Sequence, residues 1–420
     1  MYKLPRGTRD FTPEEMYNRR YIEGIMWSTF QTFGYREIQT PIFENMELFT
    51  TKSGDEILKE IYAFTDKSDR NLALRPELTA PVIRFYLDQL HMRAKPLKLF
   101  YFGNCFRYDR PQRGRYREFR QAGCELIGTD TPEALAELIA LAYNLLQKVG
   151  LQQIQLNIGN LDILSAIFKI LKIPDDQQKQ LLSVIDKEDI DEITSILSGL
   201  GFSKENINRF VKFIQAPDIK DISDFIKEDN QAINELYKLK KMLNLLETAF
   251  NIKNYQLKMG IVRGLDYYKG IVFEIDAPVL GAEKQLCGGG SYELIPLFGG
   301  KATPTAGFAL GFDRTILALE AEKFQLPKQT LDAYLIPIDE NFILKSFEIA
   351  QKLRKNGVLT DVDLLRRGLN KSLKYANAIG VKKVVLVGLK EVPQDAVKVR
   401  DMHSGLQEVV KINDLQHKIT

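Results

Sequence analysis

The sequence predicts an α+β chain: an antiparallel sheet flanked by helices, interrupted by an all-helical insertion and followed by a small α/β domain. Three observations predict it. The runs LKLFYFGNCFRYD (97–109) and FRQAGCELIG (119–128) are apolar and strand-like, and a polar, glycine-bearing loop joins them as a hairpin. From about 163 to 250, Lys, Asp, Glu, Ile and Leu recur at helical spacing and glycine is scarce. After Pro327, strand-like and helix-like segments alternate. The expected division is 1–162 and 251–326 for the two parts of a core, 163–250 for the insertion and 327–420 for the terminal domain.

The elements follow in order. Thr12-Pro13-Glu14-Glu15 starts a helix: Thr12 caps, Pro13 suits the first helical position and Glu15 completes a capping box. Gly34 supplies its stop. YREIQTPIFE (35–44) reads as a strand that Pro41 confines to an edge or a kink. Thr131-Pro132 opens a helix that ends near Gly150. Strand character returns at Leu257, and a helix follows Gly311. In the terminal domain DAYLIPI is a strand, a helix runs to Gly357, and VLTDVDLL is a strand. A helix over about 370–379 leads to the strand KKVVLVGL, and AVKVRDM and LQEVVKI pair across Ser404-Gly405.

Composition bounds the chemistry. The 420 residues are 45% hydrophobic and 27% charged, which is ordinary for a globular protein. A net charge of +3 means that any basic site must be local. The three cysteines, Cys105, Cys124 and Cys287, have no CxxC spacing and suggest a reducing compartment. The histidines, His91, His403 and His417, are scattered, so no protein-held metal is expected. No apolar run approaches ~20 residues, and MYKLPRGTRDF lacks the apolar stretch of a signal peptide. A cytoplasmic protein is expected.

The hairpin loop carries the strongest signal. FRYDRPQRGRYREFRQAGCE (106–125) holds six arginines and no lysine, interleaved with aromatic residues. Guanidinium is always charged, grips phosphate oxygens through two donors and stacks on aromatic and purine faces. The plain alternative is a solvated basic edge, where lysine would serve as well. In LRPELTAP (74–81), Glu77 and Thr79 point the same way if the segment is extended, and together would hold an amino group. The plainer reading there is a capped helix start with Thr79 in a turn. VRGLDYYKG (262–270) sets Arg263 and Asp266 beside two tyrosines, and alone reads as a turn. CGGGSYELI (287–295) reads as a close-approach loop, and TAGFALGFDR (305–314) ends in Arg314 on a helix.

Taken together, in this order and spacing, these segments resemble a class II aminoacyl-tRNA synthetase of the histidyl-tRNA synthetase family, over nearly the whole chain. REIQTPIFE is similar to class II motif 1, FRYDRPQRGRYREFRQAGCE to motif 2 and GFALGFDR to motif 3. LRPELTA and RGLDYY are similar to segments nearly unique to that family, and LTDVDLLRRGLNKSLKYANAIGVKKVVLVG to its anticodon-binding domain.

The resemblance implies activation of histidine by ATP, with Mg2+ accompanying the phosphates, then transfer to histidine tRNA by a homodimer. It implies that Arg107 binds the α-phosphate and the histidine carboxylate, with Arg263 opposite as the main catalytic cation. Arg115 and Arg117 would reach the β- and γ-phosphates, Asp109 the adenine amino group, and Phe119 and Arg314 the two faces of adenine. Glu77 and Thr79, with Gln121 nearby, would take the α-amino group. Glu125 and Tyr268 would hold the two imidazole nitrogens, and Tyr267 and Tyr292 would line the pocket. Arg110, Gln112 and Arg113 would meet the acceptor end of the tRNA.

Two departures from the family pattern stand out. Asp109 replaces the usual Glu of motif 2, and Ser291-Tyr292-Glu293 follows the glycines where Arg-Tyr-Asp is usual. The alternatives are a histidine-sensing regulatory subunit of ATP phosphoribosyltransferase and an uncharged-tRNA sensor of the kind fused to a kinase. The first usually loses the ATP-site arginines and the anticodon domain, whereas Arg107, Arg115, Arg263 and Arg314 are all present here. No kinase signature occurs in the chain.

Overall fold

The computed structural model describes residues 2–53, 58–110, 112–215, 217–227, 229–261, 267–390 and 393–419. The chain divides into two compact units, Met1–Gln325 and Leu326–Thr420.

The strands of the first unit are β1 (Arg36–Glu37), β2 (Phe43–Asn45), β3 (Tyr62–Thr65), β4 (Asn71–Leu74), β5 (Leu97–Phe106), β6 (Glu118–Ile127), β7 (Gln155–Asn160), β8 (Tyr255–Leu257), β9 (Tyr268–Asp276), β10 (Gln285–Tyr292) and β11 (Thr305–Gly311). Eight of them form one sheet in the order β1-β5-β6-β11-β10-β9-β7-β8, and β2-β4-β3 form a small second sheet. The large sheet is antiparallel except at its two edges, where β1 runs parallel to β5 and β8 parallel to β7.

The expected hairpin forms, with Tyr101 opposite Gly123 and Leu99 opposite Glu125. The strand expected over 35–44 is broken at Pro41. Its first half edges the large sheet and its second half joins the small one. Proline cannot donate to a ladder, so the chain changes sheets there. The glycine run expected as a loop is instead strand β10 in mid-sheet. Close approach is real all the same: a Cβ on Gly289 would lie 2.2 Å from the Gly307 carbonyl oxygen.

Helices cover one face of the sheet. Pro13–Thr32 begins with the expected Thr12–Glu15 capping box, and Pro132–Lys148 buries nine residues, most of them leucine or alanine. Phe30 stacks on Phe100 at 4.7 Å and on Phe308 at 6.1 Å, tying the first helix to β5 and β11. Strand residues one position away point to the opposite face. That face carries Tyr101, Glu125 and Gly307, and a second apolar cluster closes round them with Leu78, Tyr86, Leu99, Tyr267, Tyr292 and Leu294.

Between β7 and β8 run six helices: Leu161–Ile170, Asp175–Asp186, Ile190–Gly199, Lys204–Gln215, Ile219–Phe225 and Asn230–Thr248. Asn160, Asp189, Asp218 and Asp229 cap four of them through side-chain oxygens. Phe168, Phe210 and Phe213 form a chain of ring contacts in their core.

The second unit holds β12 (Ala333–Pro337), β13 (Thr360–Val362), β14 (Lys383–Val387), β15 (Ala396–Asp401) and β16 (Gln407–Lys411) in the order β13-β12-β14-β15-β16. The first three strands are parallel and the last two antiparallel. Apolar clusters lie on both faces, one around Ile349 and Leu353, the other around Tyr334 and Ala376. A final helix, Leu415–Ile419, is additional to the sequence expectation. Among the described residues no helix is long and apolar enough to cross a membrane.

Candidate active site

Glu125 is the centre of the site. It lies on β6, 1% exposed. Tyr101 donates its hydroxyl to Oε1 at 2.9 Å and Tyr292 to Oε2 at 2.5 Å. The Thr79 hydroxyl is a third hydrogen-bond partner. Burial pushes the carboxyl up to about 7, outweighing the three hydroxyls, which favour the charged form. A carboxyl poised there can give or take a proton at neutral pH.

The strand opposite makes room for it. A Cβ on Gly307 would lie 2.0 Å from Glu125 Oε2 and 2.6 Å from the Cys124 carbonyl oxygen. Gly307→Ala should therefore displace Glu125 and break its tyrosine contacts, destabilising the fold by about 2 kcal/mol. Thermal melting against wild type checks this.

The walls beside Glu125 are aromatic. Tyr267 and Tyr268 stack at 5.0 Å, and Tyr292 meets both edge-on at 5.8 and 6.2 Å. The Glu77–Thr79 segment is not extended. Thr79 is the first residue of the helix Thr79–Phe85, and the Glu77 carboxylate accepts from the Thr79 and Ala80 backbone N–H groups at 2.8 and 3.0 Å. Capping the helix start satisfies two of its orphan donors, which is why the bend is preferred.

Next to this pocket lies the cationic strip. Arg107 donates through Nε to the Pro76 carbonyl at 2.9 Å and lies 5.4 Å from the Phe119 ring centroid. Gln121 accepts from the Cys105 thiol at 3.3 Å. Burial pushes that thiol up to about 12, so it stays protonated and can donate. Arg117 donates to the Asp109 carbonyl at 3.3 Å and lies over Tyr108 at 4.0 Å. Arg110 and Arg113 are exposed.

The turn of the arginine loop is closed by reciprocal backbone bonds between Gln112 and Arg115. Glu283, from the β9–β10 connection, accepts from Gln112 at 2.8 Å, Arg115 at 3.1 Å and Arg314 at 2.6 Å. Arg314 also donates to the Gly114 and Gln285 carbonyls at 3.1 and 3.0 Å. Its neighbour Asp313, 5% exposed, accepts from Arg9 at 2.8 Å, Arg19 at 2.7 Å and the Arg120 N–H at 2.7 Å. Arg263 and Asp266 lie outside the described residues.

Sequence reasoning missed Tyr101, Glu283 and Arg75. Tyr101 had a usable signal, since it alternates in register with Leu99 on a strand whose partner carries Glu125. Arg75, which ties the end of β4 to the Thr40, Pro41 and Asn104 carbonyls, lies inside LRPELTAP but was passed over for Glu77 and Thr79, and Glu283 carried no signal.

The match of this sheet, its arginine hairpin and Arg314 to a synthetase family model makes the first unit a class II synthetase core. A family model described as histidyl-tRNA synthetase matches residues 7–315, and one described as anticodon binding domain matches 332–420. The chain belongs to the histidyl-tRNA synthetase family. It is 42% identical over 421 residues, 99% of each chain, to a histidine–tRNA ligase of Methanocaldococcus jannaschii. The apo histidyl-tRNA synthetase of S. aureus covers the whole of both chains at a TM-score of 0.76 and 30% identity. That of Nostoc sp. PCC 7120 shares the fold at a TM-score of 0.86 and 22% identity, covering 100% of this chain and 99% of its own.

Proposed function

We infer that the chain joins L-histidine to its tRNA in two steps. The histidine carboxylate attacks the α-phosphorus of ATP and pyrophosphate leaves. A ribose hydroxyl at the tRNA 3′ end then attacks the histidyl carbonyl and AMP leaves. The observation that carries this reading is Glu125, a buried carboxyl held by Tyr101 and Tyr292 beneath an aromatic wall and beside the arginine strip. A carboxyl near neutrality among hydroxyls suits a ring that both donates and accepts a proton. In this reading Glu125 and Tyr268 face the two ring nitrogens, with Tyr267 and Tyr292 as walls. Thr79 and Gln121 turn toward the amino acid backbone, with Glu77 shaping the helix start that carries Thr79.

Carboxylate and α-phosphate are both anions, so the first step needs fixed cations where charge develops. Arg107 and Arg263 take that role, Arg115 and Arg117 the outer phosphates, and Phe119, Asp109 and Arg314 the adenine. Arg110, Gln112 and Arg113 project toward the acceptor end of the tRNA. Among the described residues no group of three or more His, Cys, Asp or Glu forms a metal cage. Mg2+ would accompany the triphosphate and neutralise phosphate charge. We assign the helices of 163–250 to an insertion domain and 327–420 to anticodon binding. We place the protein in the cytoplasm as a homodimer formed through the segment 36–44. The regulatory-subunit reading is weaker, because the anticodon-binding match spans 332–420.

Amino-acid-dependent exchange of pyrophosphate into ATP, each standard amino acid offered separately, tests the reading. Exchange with histidine alone is expected, and exchange with none would remove it. A chain ending at Gln325 keeps the first compact unit whole. It should retain histidine-dependent exchange within about threefold and charge tRNA at least about tenfold more slowly. Equal charging by the shortened chain would remove the anticodon role.

A further inference from the structure

We propose that Glu283 is a positioning residue for the nucleotide: its one carboxylate locks the arginine loop to Arg314 and so sets both arginines for ATP. The inference rests on the functional reading above and assigns a role to a residue outside the segments that carry it.

Glu283 ends a short 3-10 turn, Pro278–Glu283, in the connection between β9 and β10. The Ala277 N–H donates to the Lys284 carbonyl at 2.7 Å and closes the base of that connection. The Glu283 side chain is 18% exposed. From there it reaches two separate parts of the chain, the loop residues Gln112 and Arg115 and the helix residue Arg314.

The geometry distinguishes positioning from blockade. All three contacts to Arg314 are made in the plane of its guanidinium: Nε to the Gly114 carbonyl, Nη1 to the Gln285 carbonyl and Nη2 to Glu283. A guanidinium held by its edges keeps its flat faces for stacking. Arg115 meets Glu283 through Nε, at 3.0 and 3.1 Å to the two oxygens. Its two terminal nitrogens make no hydrogen bond to a described residue. They are left for phosphate, and the stem is already ordered, so less side-chain freedom is lost on binding. Gln112 donates to the same carboxylate, which fixes the turn from which Arg113 projects.

The test uses the full-length protein with Glu283→Ala and Glu283→Gln. ATP binding is followed by calorimetry, and the separate KM values for ATP and histidine by pyrophosphate exchange. By charge alone, removing an anion beside a polyanion site should tighten ATP binding. Positioning predicts the reverse: roughly tenfold weaker ATP binding for alanine, with the KM for histidine unchanged and kcat within about threefold. Glutamine, which can still accept, should recover part of the loss. In an Arg314→Ala background, Glu283→Ala should cost less than it does in wild type, because only its contacts to Arg115 and Gln112 remain to be lost. Unchanged or tighter ATP binding, a matching rise in the KM for histidine, or fully additive losses would each overturn the proposal. Wild type that binds ATP but exchanges with no amino acid would sink the functional reading alone, since calorimetry still reads Glu283.

Discussion

Glutamine in place of Glu125 is expected to lower kcat/KM for histidine in pyrophosphate exchange by roughly a hundredfold to a thousandfold, the loss of one buried charged partner of the substrate. The same change has a second readout that needs no substrate. Burial raises the Glu125 carboxyl from the ordinary carboxylate value to about 7 in the folded chain. The folded state thus holds the proton more tightly than the unfolded state. Its stabilising contribution is complete below the ordinary value and is lost as pH rises through about 7, reaching about 3 kcal/mol at most. Wild type should therefore lose stability between pH 5 and pH 7.5, and Glu125→Gln should lack that part of the slope. Denaturant unfolding at the two pH values measures it. Parallel slopes for the two proteins would mean that Glu125 titrates as an ordinary carboxylate.

The second large effect is expected at Arg75. This guanidinium is 4% exposed. It donates to the Asn104 carbonyl at 2.8 Å, the Thr40 carbonyl at 2.9 Å and the Pro41 carbonyl at 3.0 Å. Three segments meet on one side chain: the end of β4, the kink at Pro41 and strand β5. Arg75→Met keeps much of the bulk but leaves those carbonyls without their donor, and should destabilise the fold by about 3 kcal/mol. Urea unfolding should show a lower midpoint with an unchanged slope. Arg75→Lys should rescue only part, because an ammonium cannot span the acceptors as a planar fork does.

The parts of this architecture legible in the sequence are those written locally. The hairpin of β5 and β6 shows because apolar strands flank a glycine-bearing polar loop. The first helix shows because Thr12 and Glu15 bond each other's backbone. What sequence reasoning misjudged depends on distant partners. The glycines of β10 read as a loop, yet they form a strand because β9 and β11 approach too closely for side chains. Glu77 and Thr79 read as one extended surface, yet the carboxylate is needed by the helix it precedes. The short strands β3, β4 and β7 went unnoticed; the first two make a ribbon whose partner, β2, lies beyond a proline. At the site, Glu125 and the arginines could be named from their motif. Tyr101 was readable only by setting the two hairpin strands in register, and Glu283 not at all, because it bridges loops about 170 residues apart in the chain, at Gln112 and Glu283.

The grip of Arg9 and Arg19 on Asp313 bears on how the chain comes to be folded. Arg19 and Asp313 are 294 positions apart, and β11, which separates β6 from β10 in the sheet, is the last strand of its unit to be made. During synthesis Arg9 and the first helix with Arg19 emerge early, and the carboxylate they hold emerges only near the end of the first unit. The six helices between β7 and β8 can pack among themselves meanwhile, since their contacts are local. The sheet cannot be completed until the final strand slides between two that are already present. Release of the end of the first unit is thus the event that completes the catalytic face, and a nascent chain halted before Asp313 would display a buried acceptor's two arginines with nothing to hold.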